Sequence, residues 1–171
     1  MKQKAMRKMQ SWILKKHYGL LTAKYGDFRI LKTILLTVKG NPTPQPRHQV
    51  ARRTGRAYIP SEHNIHSWKE KIRLALDSCP NSGQPTEGLC QLTLKFYFPI
   101  PKYCRRSDGS ANAQLRPTVR KDIDNLTKAV MDVLQGPHGY YVDDSQVYKL
   151  KAEKHWVQDT VGKCEIKLVI E

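Results

Sequence analysis

Acidic residues are scarce in this chain. Its 171 residues include 15 Asp and Glu against 30 Lys and Arg, which gives a formal net charge of +15 at pH 7 and a pI near 9.8. A protein this basic is expected to meet a polyanion, either a nucleic acid or an acidic membrane surface, and we favour a nucleic acid. A solvated basic face without a dedicated partner is the alternative interpretation.

Cysteine pairs and long apolar runs are also missing. No C-x-x-C pair occurs, which argues against a zinc site, and the spacing does not indicate a disulfide framework. We therefore expect reduced thiols in a cytoplasmic protein. No apolar run approaches the ~18–20 residues that a membrane-spanning helix needs, so no membrane association is expected. The four cysteines are Cys79, Cys90, Cys104 and Cys164.

The length predicts one domain with an extension. Residues 1–30 hold eight Lys or Arg and a single acid, Asp27. They are interpreted as a basic N-terminal extension that lies along phosphates, or else as a solvated tail or sequence upstream of the true start. The folded domain is predicted to cover residues 31–171.

Alternation and helical spacing predict an α+β fold, with two helices packed on one mixed β-sheet. The predicted helices are NIHSWKEKIRLALDSC, with Asn64 as its cap, and a second helix over about 124–135. The predicted order is strand, helix, strand, helix and three strands. The predicted strands are LKTILLTVKG, LCQLTLKFYF, GYYV, QVYKLKAEK and KCEIKLVI.

Two basic loops interrupt these elements. One follows the proline-rich run GNPTPQPR, which ends the first strand because proline cannot continue a ladder. The other covers residues 99–121, and a loop of that length in a compact domain is usually functional or disordered. The residues predicted to bind nucleic acid are Arg47, Arg52, Arg53, Arg105, Arg106, Arg116, Arg120 and Lys121.

Acid is concentrated in residues 121–147, although like charges repel and their clustering costs free energy. Asp122 and Asp124 stand where the second helix begins, and a helix cap would explain one of them. Asp143 and Asp144 follow the short strand GYYV. One helix and a returning strand separate the two pairs, so we expect three or four carboxylates to converge.

Converging carboxylates form either an acid–base pair or a site for a hard divalent cation. Mg²⁺ prefers oxygen ligands and keeps several waters, so two or three Asp residues suffice, and a substrate phosphate can add further oxygens. Lys128 lies one turn after Asp124, where it can stabilise transition-state charge. Its alternative role is an ion pair within the helix, with Asp124 or with Asp132.

The run RKDIDNLTKAVMDVL, followed by YYVDDSQV, resembles the signature of the RusA family of Holliday-junction resolvases. That signature is D-x-D-N-L-x-K-A, then D-x-L, then D-D-x-Q-V. The earlier stretch VKGNPTPQPR resembles the family's opening strand and proline-rich loop. The resemblance covers about 34–171, and residues 1–30 have no counterpart in it.

The resemblance implies a RusA-like fold and a Mg²⁺-dependent endodeoxyribonuclease, with Mn²⁺ as a possible substitute. It implies a homodimer that cleaves four-way DNA junctions in recombination and repair. Carried over by position, Asp122, Asp124 and Asp144 are the catalytic metal ligands and Lys128 assists. An exposed aromatic residue, Tyr103 or Tyr140, is a candidate wedge at the crossover. The alternatives are a non-catalytic basic nucleic-acid-binding module, or a nuclease for another branched DNA or RNA.

Overall fold

A computed structural model describes residues 31–79, 83–108, 117 and 120–171. The N-terminal extension and Arg116 therefore lie outside the described residues. Two short 3₁₀ turns cover Lys102–Cys104 and Asp144–Gln146. The strands and helices are β1 (Lys32–Lys39), β2 (Gln49–Val50), β3 (Ala57–Tyr58), α1 (Asn64–Asp77), β4 (Cys90–Pro99), α2 (Ile123–Leu134), β5 (Val147–Val157) and β6 (Lys163–Ile170).

The main sheet has four strands in the order β1-β6-β4-β5. The β4–β5 pair is parallel, whereas β6 runs antiparallel to both β1 and β4. Strands β1 and β5 are therefore the two edges of a mixed sheet. The predicted fold class, two helices on one mixed sheet, is confirmed.

The two helices cover one face of this sheet and enclose the core with it. β4 shows the predicted alternation, since Cys90, Leu92, Leu94, Phe96 and Phe98 are buried while the residues between them are half-buried. Burying one large apolar side chain contributes roughly 1.5–3 kcal/mol, so this shared face is the main source of stability. The buried residues of the helices are Ile65, Trp68, Ile72, Leu76, Leu126, Thr127, Ala129, Val130, Val133 and Leu134.

The predicted cap of α1 is wrong by one residue. His63 occupies the cap position, and its Nδ1 accepts a hydrogen bond from the backbone N–H of Ile65 at 3.1 Å. Asn64 is instead the first helical residue. A neutral imidazole nitrogen is an acceptor, so His63 satisfies one of the backbone donors that every helix start leaves unpaired.

The predicted strand GYYV is also wrong, because this segment folds back onto the end of α2. The carbonyl of Leu134 accepts a hydrogen bond from the backbone N–H of Tyr140 at 2.7 Å. Tyr141 forms only isolated bridges, to Thr86 and Gln135. Gly139 allows the close approach, since a Cβ there would overlap the Leu134 carbonyl.

This turn decides between the two candidate wedge residues. Tyr140 is fully buried in the core, so it does not reach solvent, whereas Tyr103 is 85% exposed. The wedge assignment is therefore wrong for Tyr140 and stays a prediction for Tyr103. Among the residues that the structure describes, no helix has the length and apolarity needed to cross a membrane.

Candidate active site

The first two carboxylates of the acidic segment 121–147 lie at the start of α2. Asp122 occupies the cap position, yet its side chain makes no capping hydrogen bond. Only its backbone carbonyl takes part, accepting from the N–H of Leu126 at 3.0 Å. Asp124 lies in the first turn, where the helix dipole favours negative charge. A capping role therefore does not account for the Asp122 carboxylate.

The proline-rich loop after β1 holds this helix start in place. The backbone N–H of Gln45 donates to the carbonyl of Asn125 at 2.9 Å. The ammonium group of Lys121 donates to the carbonyl of Pro42 at 2.6 Å and lies 5.3 Å from the centre of the Phe98 ring. The proline-rich loop thus anchors the segment that carries Asp122 and Asp124.

Asp143 and Asp144 have different surroundings in the 3₁₀ turn that follows the Tyr140–Tyr141 segment. The Asp143 carboxylate accepts from the backbone N–H of Ser145 at 2.9 Å and from the amide of Gln135 at 3.3 Å. The hydrogen bonds from Ser145 hold the pKa of Asp143 below its ordinary range. Asp143 is therefore the cap of the turn, and it contacts Gln135 and Ser145 rather than the basic loops.

Gln146 fixes the same turn to the rest of the fold. Its side-chain oxygen accepts from the backbone N–H groups of Val142 and Asp143, at 2.8 and 2.9 Å. Its amide nitrogen donates to the carbonyls of Thr86 and Gly88, each at 2.8 Å. Both lone pairs and both N–H groups of the Gln146 amide are therefore used, and they attach the turn to the segment that carries Thr86 and Gly88. The sequence indicated Gln146 only as part of the D-D-x-Q-V motif. It did not indicate that the Gln146 side chain holds the turn in place.

A cavity of about 530 Å³ brings parts of the two acidic segments together between α2 and β5. Asp124 and Lys128 line it from the helix, and Asp144 lines it from the turn. Asp122 is not part of the lining. Leu150 and Ala152 contribute from the edge strand. The full lining is Ile123, Asp124, Thr127, Lys128, Met131, Asp132, Asp144, Leu150 and Ala152.

The expected convergence of three or four carboxylates is only partly present. Within the described ranges, no three His, Cys, Asp or Glu side chains lie close enough together to hold a metal ion by themselves. The structure instead places two of the predicted ligands, Asp124 and Asp144, around one cavity with Lys128. Asp122 lies two residues before Asp124, at the start of the same helix.

Residues 39–169 match the family model described as Endodeoxyribonuclease RusA. This chain belongs to the RusA endodeoxyribonuclease family. It is also similar to a Bacillus subtilis (strain 168) protein named "Uncharacterized protein YqaN". The two are 30% identical over 130 residues, which cover 74% of this chain and 89% of that protein. The RusA resemblance of the sequence is confirmed, and membership implies an endonuclease that acts on DNA.

In this RusA-family chain, Asp132 lines the cavity but already has a partner. Its carboxylate lies 2.8 Å from the ammonium group of Lys69 on α1. This ion pair ties the two helices together beside the cavity. Asp132 therefore has a cross-helix partner, in contrast to Asp124 two turns earlier, whose carboxylate has no partner among the residues described.

Tyr141 forms part of the wall behind these acids. Its hydroxyl donates to the carbonyl of Met131 at 3.2 Å. Burial raises the pKa of the Tyr141 phenol, and the nearby carboxylates of Asp144 and Asp132 raise it further. The phenol therefore stays protonated and keeps donating its hydrogen bond. Both carboxylates also line the cavity between α2 and β5.

The predicted nucleic-acid-binding residues divide into exposed arginines and one enclosed lysine. Burial lowers the pKa of Lys121, whose ammonium group is held by Pro42 as described above. Arg105 is exposed, although its Nε donates to the carbonyl of Ile100 at 3.0 Å. Lys121 thus has a structural contact, and its role toward nucleic acid stays a prediction. The exposed members of the set are Arg47, Arg52, Arg53, Arg105, Arg106 and Arg120.

Proposed function

We propose that this RusA-family chain is a Mg²⁺-dependent endodeoxyribonuclease that cleaves four-way DNA junctions in recombination and repair. The observation that carries this proposal is the cavity between α2 and β5, which Asp124, Asp144 and Lys128 line together. The two carboxylates are suited to hold a metal ion, and the lysine adds a positive charge beside it. Together the metal ion and the lysine would bind a phosphodiester and stabilise its negative charge.

The donor set fits a hard divalent cation. Mg²⁺ is usually held by one or two carboxylates together with waters and substrate phosphates, so Asp124 and Asp144 suffice as its first protein ligands. We assign Asp122 as a further ligand because its carboxylate is exposed and makes no capping bond. The same oxygen ligands accept Mn²⁺. When bound, the metal lowers the pKa of a water molecule and stabilises charge on the phosphate.

The chain's own residues supply positioning and charge. Asp124 is fixed by the helix that the proline-rich loop anchors, and Asp144 is fixed by the turn that Gln146 clamps. Lys128 places a positive charge on the cavity wall, where it can stabilise the additional negative charge of the transition state. Because both anchors are already formed, little reorganisation is required when the substrate arrives.

The charge and symmetry of the substrate complete the proposal. The exposed arginines and the basic residues 1–30 are proposed to contact DNA phosphates. A four-way junction must be cut in two symmetry-related strands, so we propose that two copies of the chain act as a twofold homodimer. Its proposed place of action is the cytoplasm.

A substrate panel tests this function. A labelled four-way junction, a flap, a duplex and a branched RNA are incubated at one salt concentration, with and without Mg²⁺. Mg²⁺-dependent cleavage that favours the junction is expected. Preferred cleavage of another substrate would show that the junction is not the target. Binding without any cleavage would show that the protein is a non-catalytic nucleic-acid-binding module.

Two variants link the activity to the cavity. Asp122→Asn and Asp124→Asn should each abolish cleavage and bind the junction at least as tightly as the wild type, because each removes a charge that repels phosphate. Gel-shift assays and thermal unfolding measure binding and folding separately. A variant that folds normally yet no longer binds the junction, or one that cuts at the wild-type rate, would contradict the assignment.

A further inference from the structure

Residues 47–58 form a hairpin that stands apart from the main sheet. Gln49 pairs with Tyr58 and Val50 pairs with Ala57, in a two-stranded sheet of their own. Every residue from 47 to 58 except Ala51 is exposed. A hairpin this exposed buries little apolar surface and adds little to the stability of the core. Packing therefore does not explain why the chain forms it.

Hydrogen bonds nevertheless give the hairpin a defined shape. The backbone N–H of Ala51 donates to the carbonyl of Arg56 at 2.9 Å, and the N–H of Gly55 donates to the carbonyl of Ala51 at 2.8 Å. Gly55 has φ +66°, a left-handed conformation that glycine adopts without steric cost. The Tyr58 hydroxyl donates to the side chain of Gln49 at 3.2 Å, across the two strands.

The hairpin carries positive charge without any acid. No Asp or Glu occurs between residues 47 and 61. Within the described part of the chain, none of the hairpin's arginines makes an ion pair, and three of them surround the turn. Unpaired guanidinium groups on one projecting element are complementary to a polyanion. The four arginines are Arg47, Arg52, Arg53 and Arg56.

The base of the hairpin lies beside the candidate active site. The backbone hydrogen bond from Gln45 to Asn125 joins the chain two residues before Arg47 to the residue that follows Asp124. A ligand held by the hairpin is therefore held next to the helix that lines the cavity. The hairpin thus emerges within a few residues of a contact with the start of that helix.

We propose that the β2–β3 hairpin inserts into the major groove of a duplex arm next to the cleavage site. The proposal rests on the proposed function, since it concerns the same DNA. The two strands of a ribbon lie about 4.8 Å apart, and a sheet with its side chains is about 10 Å thick, the spacing at which sheets stack. In undistorted B-DNA the major groove, about 12 Å wide, admits such a ribbon, whereas the minor groove, about 6 Å wide, does not.

The residues at the turn suit the edges of base pairs. An arginine can form a bidentate contact with the O6 and N7 atoms of guanine, and an apolar side chain can contact the methyl group of thymine. Arg52, Arg53 and Arg56 supply the guanidinium groups, and the exposed Val50 supplies an apolar surface. Contacts in the groove would fix the position of the DNA arm relative to the cavity. The positive charge of the arginines would in addition attract the DNA.

Dimethyl sulfate footprinting tests this placement, because the reagent methylates guanine N7 in the major groove and adenine N3 in the minor groove. Wild-type protein on a four-way junction without Mg²⁺ should protect guanine N7 in an arm near the crossover. A variant with Arg52→Ala, Arg53→Ala and Arg56→Ala should lose that protection and bind the junction about tenfold or more weakly.

A second triple variant controls for charge. Lys149→Ala, Lys151→Ala and Lys167→Ala remove the same charge from the sheet face opposite the helices, and this variant should keep the N7 protection. Thermal unfolding confirms that both variants fold. Unchanged N7 reactivity with wild-type protein would overturn the proposal, as would protection of adenine N3 alone. Footprinting needs no cleavage, so an N7 footprint with an inactive protein would refute the proposed nuclease activity and leave the hairpin's role intact.

Discussion

The ammonium group of Lys154 donates a hydrogen bond to the backbone carbonyl of Lys121 at 2.7 Å. Lys154 lies on edge strand β5, and Lys121 immediately precedes Asp122. Because Lys121 in turn donates to Pro42, the entry to α2 is held from both sides, by β5 and by the proline-rich loop. The start of the candidate metal site thus depends on a lysine that the signature does not include.

Replacing Lys154 should therefore impair chemistry more than binding. Lys154→Met is expected to lower single-turnover cleavage about tenfold to a hundredfold, since small displacements of reacting groups are costly. It should also raise the Mg²⁺ concentration needed for half-maximal rate, while Lys154→Arg restores part of the activity. Lys151→Met, on the opposite face of the same strand, controls for the removed charge. Equal effects of Lys151→Met and Lys154→Met on rate would contradict a positioning role.

Asp132 should be separable from Asp124, although both line the cavity. Asp132→Asn breaks the pair with Lys69, so it should lower the free energy of unfolding by about 0.2–1 kcal/mol and leave cleavage largely intact. Denaturant unfolding and a cleavage assay of the same preparation measure the two effects. Loss of cleavage at unchanged stability would assign Asp132 to the catalytic set instead.

The pH dependence of stability should report on Asp143. Its pKa lies below the ordinary value of 3.8 in the folded state, so its carboxylate stabilises the protein above about pH 3.8. That contribution disappears as the pH falls through the lower folded pKa. Asp143→Asn resembles the protonated form, so the melting temperatures of wild type and variant should differ at pH 6 and converge below about pH 3.8. A gap that stays constant across this range would show that the hydrogen-bonded charge does not stabilise the turn.

The basic residues 1–30 should increase the affinity for DNA of every shape and should not make the protein prefer the junction. Deleting them is expected to weaken binding to junction and duplex alike. The plot of log K against log salt should flatten by about 0.9 for each DNA phosphate that the extension neutralises in the intact protein. Fluorescence anisotropy over a salt series measures the slope. An unchanged slope would show that the extension does not touch DNA.

The sequence predicted strands β1, β4 and β6 and both helices because the burial of their side chains follows a simple period. Ile34, Leu36 and Val38 alternate on β1, and the stripe of α2 from Leu126 to Leu134 recurs at helical spacing, as expected. GYYV carries the same β-forming residue types as a strand. Its partner, however, is the end of α2, which local composition does not reveal.

Contacts between distant residues explain what the sequence did not predict at the site. The D-x-D and D-D segments indicated where the acids lie, and the structure places Asp124 and Asp144 at one cavity. The bond from Lys154 to Lys121 joins residues far apart in the chain, and no periodicity indicates it. The β2–β3 hairpin was also missed, because strands of two residues are too short to show alternation.

We propose that the cavity between α2 and β5 is the catalytic centre, with Asp144 facing it and Asp143 capping the turn. Single-turnover cleavage of a saturating four-way junction in Mg²⁺ by Asp144→Asn and Asp143→Asn tests it most directly. Asp144→Asn should lose cleavage completely, and adding Asp122→Asn should make it no worse, because metal ligands act as a unit. Asp143→Asn should keep measurable activity. An inactive Asp143→Asn beside an active Asp144→Asn would contradict the assignment of the site.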